Sequence, residues 1–322
     1  MTERSRVVIV LRALLSLAVL AAGIVAVLAA LVSLPDSSPA QEATPSDQAP
    51  SEEPHDGDRG LDDYTWQELS DISAEIAAAG GGDASVAVAA SYGLVNPDGS
   101  LTGEAKRVRL SDGTVVGLVI AGICHDTVTG TGSPAGLTFV SDGAIALRPM
   151  NVSGDNAGGW ESSELRSWLG DEGIALLPDD LRAVVVAVDK PTNNVGSAWS
   201  AEQVSLTSDR LWLLSATEAC GTIDWFAHEY PAEYSFWDDV ANAEGSQYQL
   251  FSEAGVSARD GAGGFLERRW QGSPVAWWYR SAFFFVYENL EGRYFYGAMA
   301  SGYPCSHATP DTEQGVVIGL CL

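Results

Sequence analysis

An uncharged run of 22 residues, 13–34, constrains this chain more than any other feature. At about 1.5 Å per residue, a helix of that length measures about 33 Å, enough to cross a hydrocarbon core of about 30 Å. Arg4, Arg6 and Arg12 all precede the run, and basic residues favour the cytoplasmic side of a span. The pattern predicts a single-pass plasma-membrane anchor at 13–34, with residues 1–12 in the cytoplasm and the remainder outside the cell.

The alternative interpretation of this run is a cleaved secretory signal peptide. Ser38-Pro39-Ala40 offers a small-residue cleavage site after it. The apolar stretch of a signal peptide usually has only about 7 to 15 residues, so the length of the run favours an uncleaved anchor.

Residues 35–60 form a distinct segment, rich in Pro, Ser and acidic side chains and almost empty of large apolar groups. Such a composition cannot bury enough surface to offset the entropy lost on ordering. Proline and like charges also extend a chain. The segment is therefore predicted to be a disordered stalk that holds the following residues away from the membrane.

The exported part is strongly acidic. The whole chain has 17 basic and 43 acidic residues. Three of the basic residues and one of the acidic residues lie in the first 34 positions, so residues 35–322 have 14 basic and 42 acidic residues and a net charge of −28. Such a surface repels phosphate backbones and anionic lipid head groups, so nucleic acid is excluded as a favoured partner.

Four cysteines, Cys124, Cys220, Cys305 and Cys321, lie in the part of the chain that is predicted to be exported. An oxidising compartment outside the cytoplasm favours disulfides, and four cysteines allow three pairings.

The remaining residues predict an α+β fold. Thr65 and Glu68 form a capping-box pattern before a run with helical spacing, and residues 83–92 give a second helix. Two apolar segments around Ser111-Asp112-Gly113 indicate a β-hairpin. A further helix is predicted at 178–188, and strands at 209–215 and in three segments of the C-terminal third.

Several motifs, taken in order, resemble the bacterial surface proteins of the family called domain of unknown function 6273 (DUF6273). They are NAGGWESSELRSWL, TSDRLWLLSATEACG, AEGSQYQLF, AWWYRS and the terminal GVVIGLCL. The resemblance extends over nearly all of 61–322, with 61–130 similar to the N-terminal helical and hairpin extension of larger members and 131–322 similar to the family domain.

The resemblance implies a C-type lectin-like fold, as in formylglycine-generating enzymes and the variable receptor-binding proteins of phage. On that likeness Trp160, Trp168, Trp277 and Arg280 are framework residues. Ala282 stands where relatives often have proline, which predicts a local change in strand geometry. Cysteine recurs in relatives at the positions of Cys220 and Cys321, which implies the pairs Cys220–Cys321 and Cys124–Cys305.

Aromatic side chains supply the candidate binding residues. Phe283, Phe285 and Tyr287 alternate on one strand face and Tyr294 and Tyr296 on another, so that one face is expected to be core and the other an exposed patch. Trp225 and Trp237 lie in loop-like, Gly- and polar-rich stretches, where burial is less automatic. An exposed aromatic patch suits stacking on sugar rings or anchoring of a protein partner, whereas burial of most of these rings is the alternative.

No catalytic motif is complete. His228-Glu229 begins a zincin-like sequence, but Ala232 stands where the second histidine would be. Cys124-His125 and Cys305-Ser306-His307 would supply two sulfurs and two imidazoles to zinc only if the fold brought them together. No catalytic residue, metal or cofactor is assigned.

The sequence therefore predicts a membrane-anchored surface protein whose lectin-like ectodomain binds an external protein or glycan without catalysis. Two alternatives remain open. One is an exported enzyme acting on extracellular or cell-wall glycans, with Asp238, Glu229 or His228 as its reactive groups, and the other is a self-associating envelope protein.

Overall fold

The computed structural model describes residues 59–322. The predicted cytoplasmic segment, the predicted span at 13–34 and nearly all of the predicted stalk lie outside these residues. Within 59–322, none of the helices combines the length and the apolar character that crossing a membrane requires.

Helices and strands alternate irregularly along the described chain, which confirms the predicted α+β class. The helices are α1 (Trp66–Ala78), α2 (Gly82–Ser91), α3 (Glu164–Trp168, continued by a π-helical turn at Leu169–Gly173), α4 (Asp179–Val184), α5 (Ala216–Cys220), α6 (Phe236–Asn242) and α7 (Gln249–Glu253). The strands are β1 (Ala105–Arg109), β2 (Val115–Ile123), β3 (Thr127–Val128), β4 (Leu137–Ser141), β5 (Leu147–Arg148), β6 (Val188–Thr192), β7 (Ser205–Asp209), β8 (Trp212–Leu213), β9 (Arg268–Trp270), β10 (Ser273–Val275), β11 (Trp277–Tyr287), β12 (Leu290–Ala298), β13 (Ser306–Ala308), β14 (Gln314–Gly315) and β15 (Ile318–Cys321).

Two five-stranded sheets organise these strands. The first has the order β1-β2-β4-β15-β8 and is antiparallel throughout. It joins strands of the predicted extension to strands of the predicted family domain, because β2 pairs with β4. The second has the order β13-β12-β11-β14-β5, with β11 and β14 parallel. Strands β3, β6 and β7 form a smaller sheet, and β9 pairs with β10.

Helix α1 forms where its sequence predicts. The Thr65 side chain accepts the Glu68 amide, while the Glu68 carboxylate accepts the Thr65 amide at 2.6 Å, so the predicted capping box is confirmed. The helix packs on the first sheet through Trp66, whose ring meets that of Phe139 edge-on at 5.9 Å. Ser73 ties the same helix to the end of the chain, donating to the Leu322 carbonyl at 2.5 Å.

The Gly-Gly-Trp motif packs against the small sheet. Gly159 has a positive φ of 53°, and a Cβ there would lie 1.8 Å from the Asn193 carbonyl oxygen, so only glycine fits. Trp160 is fully buried and donates from its indole nitrogen to Asp209, which also accepts from Arg166 at 2.6 Å. Trp160 is thus part of the framework.

Two local expectations need correction. The helix predicted at 178–188 ends at Val184, because the β-branched residues that follow favour extended backbone and lead into β6. Trp168 is half-buried rather than core, lying under Arg148, whose guanidinium carbon is 4.5 Å from the centre of an indole ring.

Candidate functional site

The hairpin of β11 and β12 carries five of the seven predicted binding residues. In its antiparallel register Phe283 lies opposite Tyr294, Phe285 opposite Gly292 and Tyr287 opposite Leu290. Residues directly opposite each other point to the same side of a sheet. The expectation of two separate faces was therefore wrong: both aromatic sets share one face.

The aromatic rings on this face stack closely. Phe283 and Tyr296 have ring centroids 4.2 Å apart with 13° between their planes, and Phe283 and Tyr294 are 5.3 Å apart at 30°. A Cβ at Gly292 would lie 2.3 Å from the Tyr294 hydroxyl, so glycine makes room for that ring. Stacked and edge-on pairs of this kind each add about 0.5–1.5 kcal/mol beyond simple burial.

Strand β11 changes its geometry just before these rings. Trp278 pairs with Gly297 and Ala282 with Phe295, so four residues of β11 span the distance of two on β12. The irregularity ends at Ala282, the position at which the resemblance predicts a local change in strand geometry. It releases the backbone amide of Arg280 to donate to the Leu214 carbonyl at 2.8 Å.

A loop at 225–234 covers the aromatic face and is held by Asp238 at the start of α6. The Asp238 carboxylate is buried and accepts the amides of Phe226, at 3.0 Å, and Ala227, at 2.9 Å. Burial raises the pKa of Asp238, and these amide hydrogen bonds oppose that shift. Asp238 thus acts as an anchor for the loop.

The two tryptophans predicted to bind a ligand, Trp225 and Trp237, are buried and hold the same loop in place. Trp225 is buried and donates to the Ala258 carbonyl at 2.5 Å. Trp237 is buried, donates to the Phe284 carbonyl at 2.9 Å and stacks on Phe285 with centroids 5.4 Å apart. Trp237 supports the site without lining it.

Between the loop and the hairpin lies a cavity of about 360 Å³, called here the aromatic pocket. Its lining residues are Trp225, Phe226, Glu229, Tyr230, Arg259, Phe283, Phe285, Tyr294, Tyr296, Tyr303, Cys305 and His307. Five of the predicted binding residues are among them. Tyr287 lies outside and packs edge-on against Tyr230 at 5.0 Å.

The wall of the aromatic pocket contains one buried polar atom without a partner. The Tyr296 hydroxyl is enclosed and accepts or donates no hydrogen bond to any part of the described chain. Burial, reinforced by the nearby Asp238 charge, raises the pKa of Tyr296 well above its usual range, so the hydroxyl stays protonated. Leaving a buried hydroxyl without a partner costs free energy.

The charged groups at the rim are mostly compensated. Arg259 donates to both carboxylate oxygens of Asp224, at 3.1 and 3.2 Å, and His228 lies 3.3 Å from the same carboxylate. His307 packs against the Tyr294 ring, with centroids 4.7 Å apart. Partial burial lowers the pKa of His307, which favours its neutral form. Glu229 is exposed at the rim.

Sequence reasoning missed Phe226, Tyr230, Tyr303 and His307 as lining residues. Phe226 and Tyr230 lie in a loop without periodicity, and the fold alone brings Tyr303 and His307 to the rim. The only available indication was the density of aromatic residues in 225–237.

Arg280, a residue of β11, belongs to a buried ionic cluster. Its guanidinium donates to Glu218, which also lies 2.5 Å from Lys190, and Lys190 lies 2.5 Å from Asp126. Burial opposes ionisation of Asp126, but Lys190 and His125 outweigh it and lower its pKa to about 2. All four side chains are buried, which fits the framework role expected of Arg280.

Glu244 is the fifth member of the buried ionic cluster. One of its oxygens accepts the Asn193 amide at 2.7 Å, and the other has no partner in the described residues. Burial raises the pKa of Glu244 to about 7, against the opposing charge of Arg280.

The predicted disulfides are not formed, and all four cysteines are free thiols. Cys220 and Cys321 lie in different clusters of the core: the Cys220 sulfur is 3.4 Å from the Tyr279 hydroxyl, and the Cys321 sulfur is 3.2 Å from the Thr138 hydroxyl. Each sulfur thus has its own polar neighbour. Burial raises the pKa of both Cys220 and Cys305 to about 12.

The fold does not assemble the zinc alternative. His125 packs on the ring of Tyr248, whereas His307 packs on Tyr294 at the aromatic pocket. Within residues 59–322, no group of three His, Cys, Asp or Glu side chains is placed to hold a metal ion.

The geometry defines a mixed α+β domain with an aromatic pocket between a hairpin and a loop. The chain belongs to the family described as Domain of unknown function (DUF6273), whose model matches residues 135–308. The match includes every lining residue of the aromatic pocket, and it is narrower than the resemblance over 61–322. No curated protein and no solved structure matches the chain.

Proposed function

We propose that this chain is a membrane-anchored cell-surface protein whose ectodomain binds an external protein or glycan in the aromatic pocket, without catalysis. The anchor is the apolar run at 13–34, and residues 35–60 are the stalk that separates the ectodomain from the membrane.

The observation that carries the proposal is the aromatic pocket itself. Small-molecule sites are concave and mostly apolar, with a few polar groups that fix orientation. The aromatic pocket has that character: aromatic side chains make up most of its lining, and Glu229 and Arg259 stand at its rim. Partly exposed tyrosines such as Tyr294 and Tyr303 supply both apolar contact and hydrogen bonds.

A C-type lectin-like fold is part of the same proposal. Its support is the burial of Trp160, Trp277 and Arg280, the residues that the resemblance assigns to the framework. The position of the aromatic pocket, between a loop and a partly buried strand face, also fits folds of this kind, in which loops meet the ligand. Fold likeness alone does not assign a ligand.

The residues suggested for an enzyme do not form one reactive group. Asp238 is committed to the loop amides, and His228 contacts Asp224 rather than Glu229. Only Glu229 of the three lines the aromatic pocket. This arrangement favours binding over turnover.

The test is binding of the purified full chain to glycan and cell-surface protein arrays, with and without a chelator. A saturable ligand is expected, and Tyr294→Ala should weaken it at least tenfold, because the Tyr294 ring forms one wall. Trp199→Ala is the matched control, since Trp199 is 72 % exposed outside the aromatic pocket and its loss should change nothing.

Two results would overturn the proposal. One is a correctly folded chain that binds nothing, especially if it assembles as its concentration rises, which is the behaviour of a structural envelope protein. The other is turnover of a glycan that Glu229→Gln abolishes, which is the behaviour of an enzyme.

A further inference from the structure

We propose that the aromatic pocket binds an alkylated ammonium group, of which the trimethylammonium head of choline is the simplest example. This inference rests on the proposed function and names the chemical group by which the external protein or glycan is recognised. Two observations carry it: the aromatic rings in the lining and the net negative charge at the rim.

Aromatic rings make up most of the lining. The ring of Tyr230 lies 5.5 Å from that of Phe226 and 5.8 Å from that of Phe285, measured between centroids. Tyr294 stacks on Phe283. The faces of aromatic rings are negative, and a cation held against several of them is attracted to each.

The uncompensated charge at the rim is negative. Glu229 is the one acidic residue among the lining residues of the described pocket, and Arg259 is the one residue there with a permanent positive charge. Arg259 donates to both oxygens of Asp224 and also interacts with the charge of Glu229, so the two carboxylates and the one guanidinium carry a net charge of −1. The exported part of the chain adds a net charge of −28, which steers cations toward it.

The neighbouring groups do not reverse this sign. His228, next to Glu229, lies against Asp224, and His307 is held toward its neutral form by partial burial. Asp238 lies behind the loop, and its charge acts on Tyr296. An anionic ligand would meet two carboxylates, Glu229 and Asp224, and one guanidinium, that of Arg259.

The aromatic lining selects among cations. A primary ammonium is strongly hydrated and loses that hydration in a site lined mostly by rings. An alkylated ammonium presents methyl groups to the rings and keeps its positive charge. The pocket volume of about 360 Å³ lies at the small end for ligand sites, which fits a head group.

The test is calorimetric titration of the full chain with choline and with its uncharged isostere, in which a tert-butyl group replaces the trimethylammonium group. The two probes have the same shape and differ in charge. Choline is expected to bind about tenfold more tightly or better, which corresponds to about 1.4 kcal/mol, within the range of cation–π attraction.

Three variants locate the effect. Glu229→Gln should weaken choline several-fold and leave the isostere unchanged, and Tyr294→Leu should weaken choline at least tenfold by removing a ring face. Glu313→Gln is the matched control, because it removes the same charge from an exposed position outside the aromatic pocket. Circular dichroism and thermal unfolding establish that each variant is folded.

Three outcomes would overturn the inference. The first is equal binding of the two probes, and the second is no binding of choline at about 100 mM, a concentration far above any specific affinity. The third is choline binding that neither Glu229→Gln nor Tyr294→Leu alters. An oligosaccharide or protein that binds through Tyr294 while choline does not would overturn it and leave the proposed function standing. A folded chain that binds neither choline nor any array ligand would overturn both.

Discussion

Arg280 and Glu218 form a two-point ion pair in the interior of the protein. The Arg280 Nη2 atom lies 2.9 Å from Glu218 Oε1, Nη1 contacts Oε2, and neither residue is more than 1 % exposed. Lys190 approaches the same carboxylate at 2.5 Å. The hairpin that carries the aromatic pocket is therefore tied to α5 by charge as well as by apolar packing.

Removing the Arg280 charge should destabilise the fold severely. In Arg280→Met the Glu218 carboxylate remains buried with one cation fewer, and breaking a buried pair in this way costs about 3–5 kcal/mol. Urea denaturation of the full chain measures the loss. Arg269→Met is the control, because Arg269 pairs with Glu267 at the surface and its loss should cost no more than about 1 kcal/mol. Similar losses in the two variants would contradict the assigned role of the pair.

Glu244 should make stability depend on pH. Its pKa is about 7 in the folded chain and near 4.5 when unfolded, so between these values the folded state binds more protons. The free energy of unfolding therefore falls as pH rises from about 4.5 to about 7 and levels off above that. Glu244→Gln keeps an oxygen for the Asn193 amide and should flatten this part of the profile. The difference between wild type and variant, measured by denaturation at several pH values, should reach roughly 1–3 kcal/mol. A constant difference would refute the shift.

The four cysteines should be found as thiols. Alkylation in denaturant followed by intact-mass measurement should give four modified cysteines without reductant. In the folded chain Cys124 should react first, because Cys220 and Cys321 are buried and burial raises the pKa of Cys305 to about 12, which depletes its reactive thiolate. Peptide mapping that recovers Cys220–Cys321 or Cys124–Cys305 would show that the oxidised protein differs from the structure.

The apolar run at 13–34 should retain the chain in the membrane with its ectodomain outside. Membrane fractions washed at alkaline pH should keep the full chain, and protease added to intact cells should digest it. Replacing Leu20 and Val25 together by arginine should release the chain or block its export, because each central charge costs about 2.5–3.5 kcal/mol on insertion. An intact mass that begins after Ala40 would instead identify a cleaved signal peptide.

The sequence correctly predicted the helices and strands whose formation depends on residues close together in the chain. Helix α1 was predicted because its capping box and its apolar stripe lie within one stretch of sequence. The first hairpin and the long C-terminal strands were predicted for the same reason. The helix expected at 178–188 was predicted too long, since periodicity alone did not show where strand β6 takes over at Val188.

The aromatic pocket depended on relationships that the sequence does not contain. Alternation identified Phe283 and Tyr294 as candidates, but their shared face follows from the hairpin register and the irregularity before Ala282. The position of Phe226 follows from a hydrogen bond to Asp238, 12 residues away. Cysteine pairing is equally non-local, and a resemblance between sequences did not reveal that Cys220 and Cys321 lie in separate parts of the core.

The two faces of the β11–β12 hairpin contact different parts of the protein. Trp278, Ala282 and Phe295 face the main core, while Phe283, Tyr294 and Tyr296 face the aromatic pocket. Residues of the two clusters of the core therefore alternate along a single strand. A substitution at one position of this hairpin changes the packing on one side only, because the next side chain along the strand points to the other side.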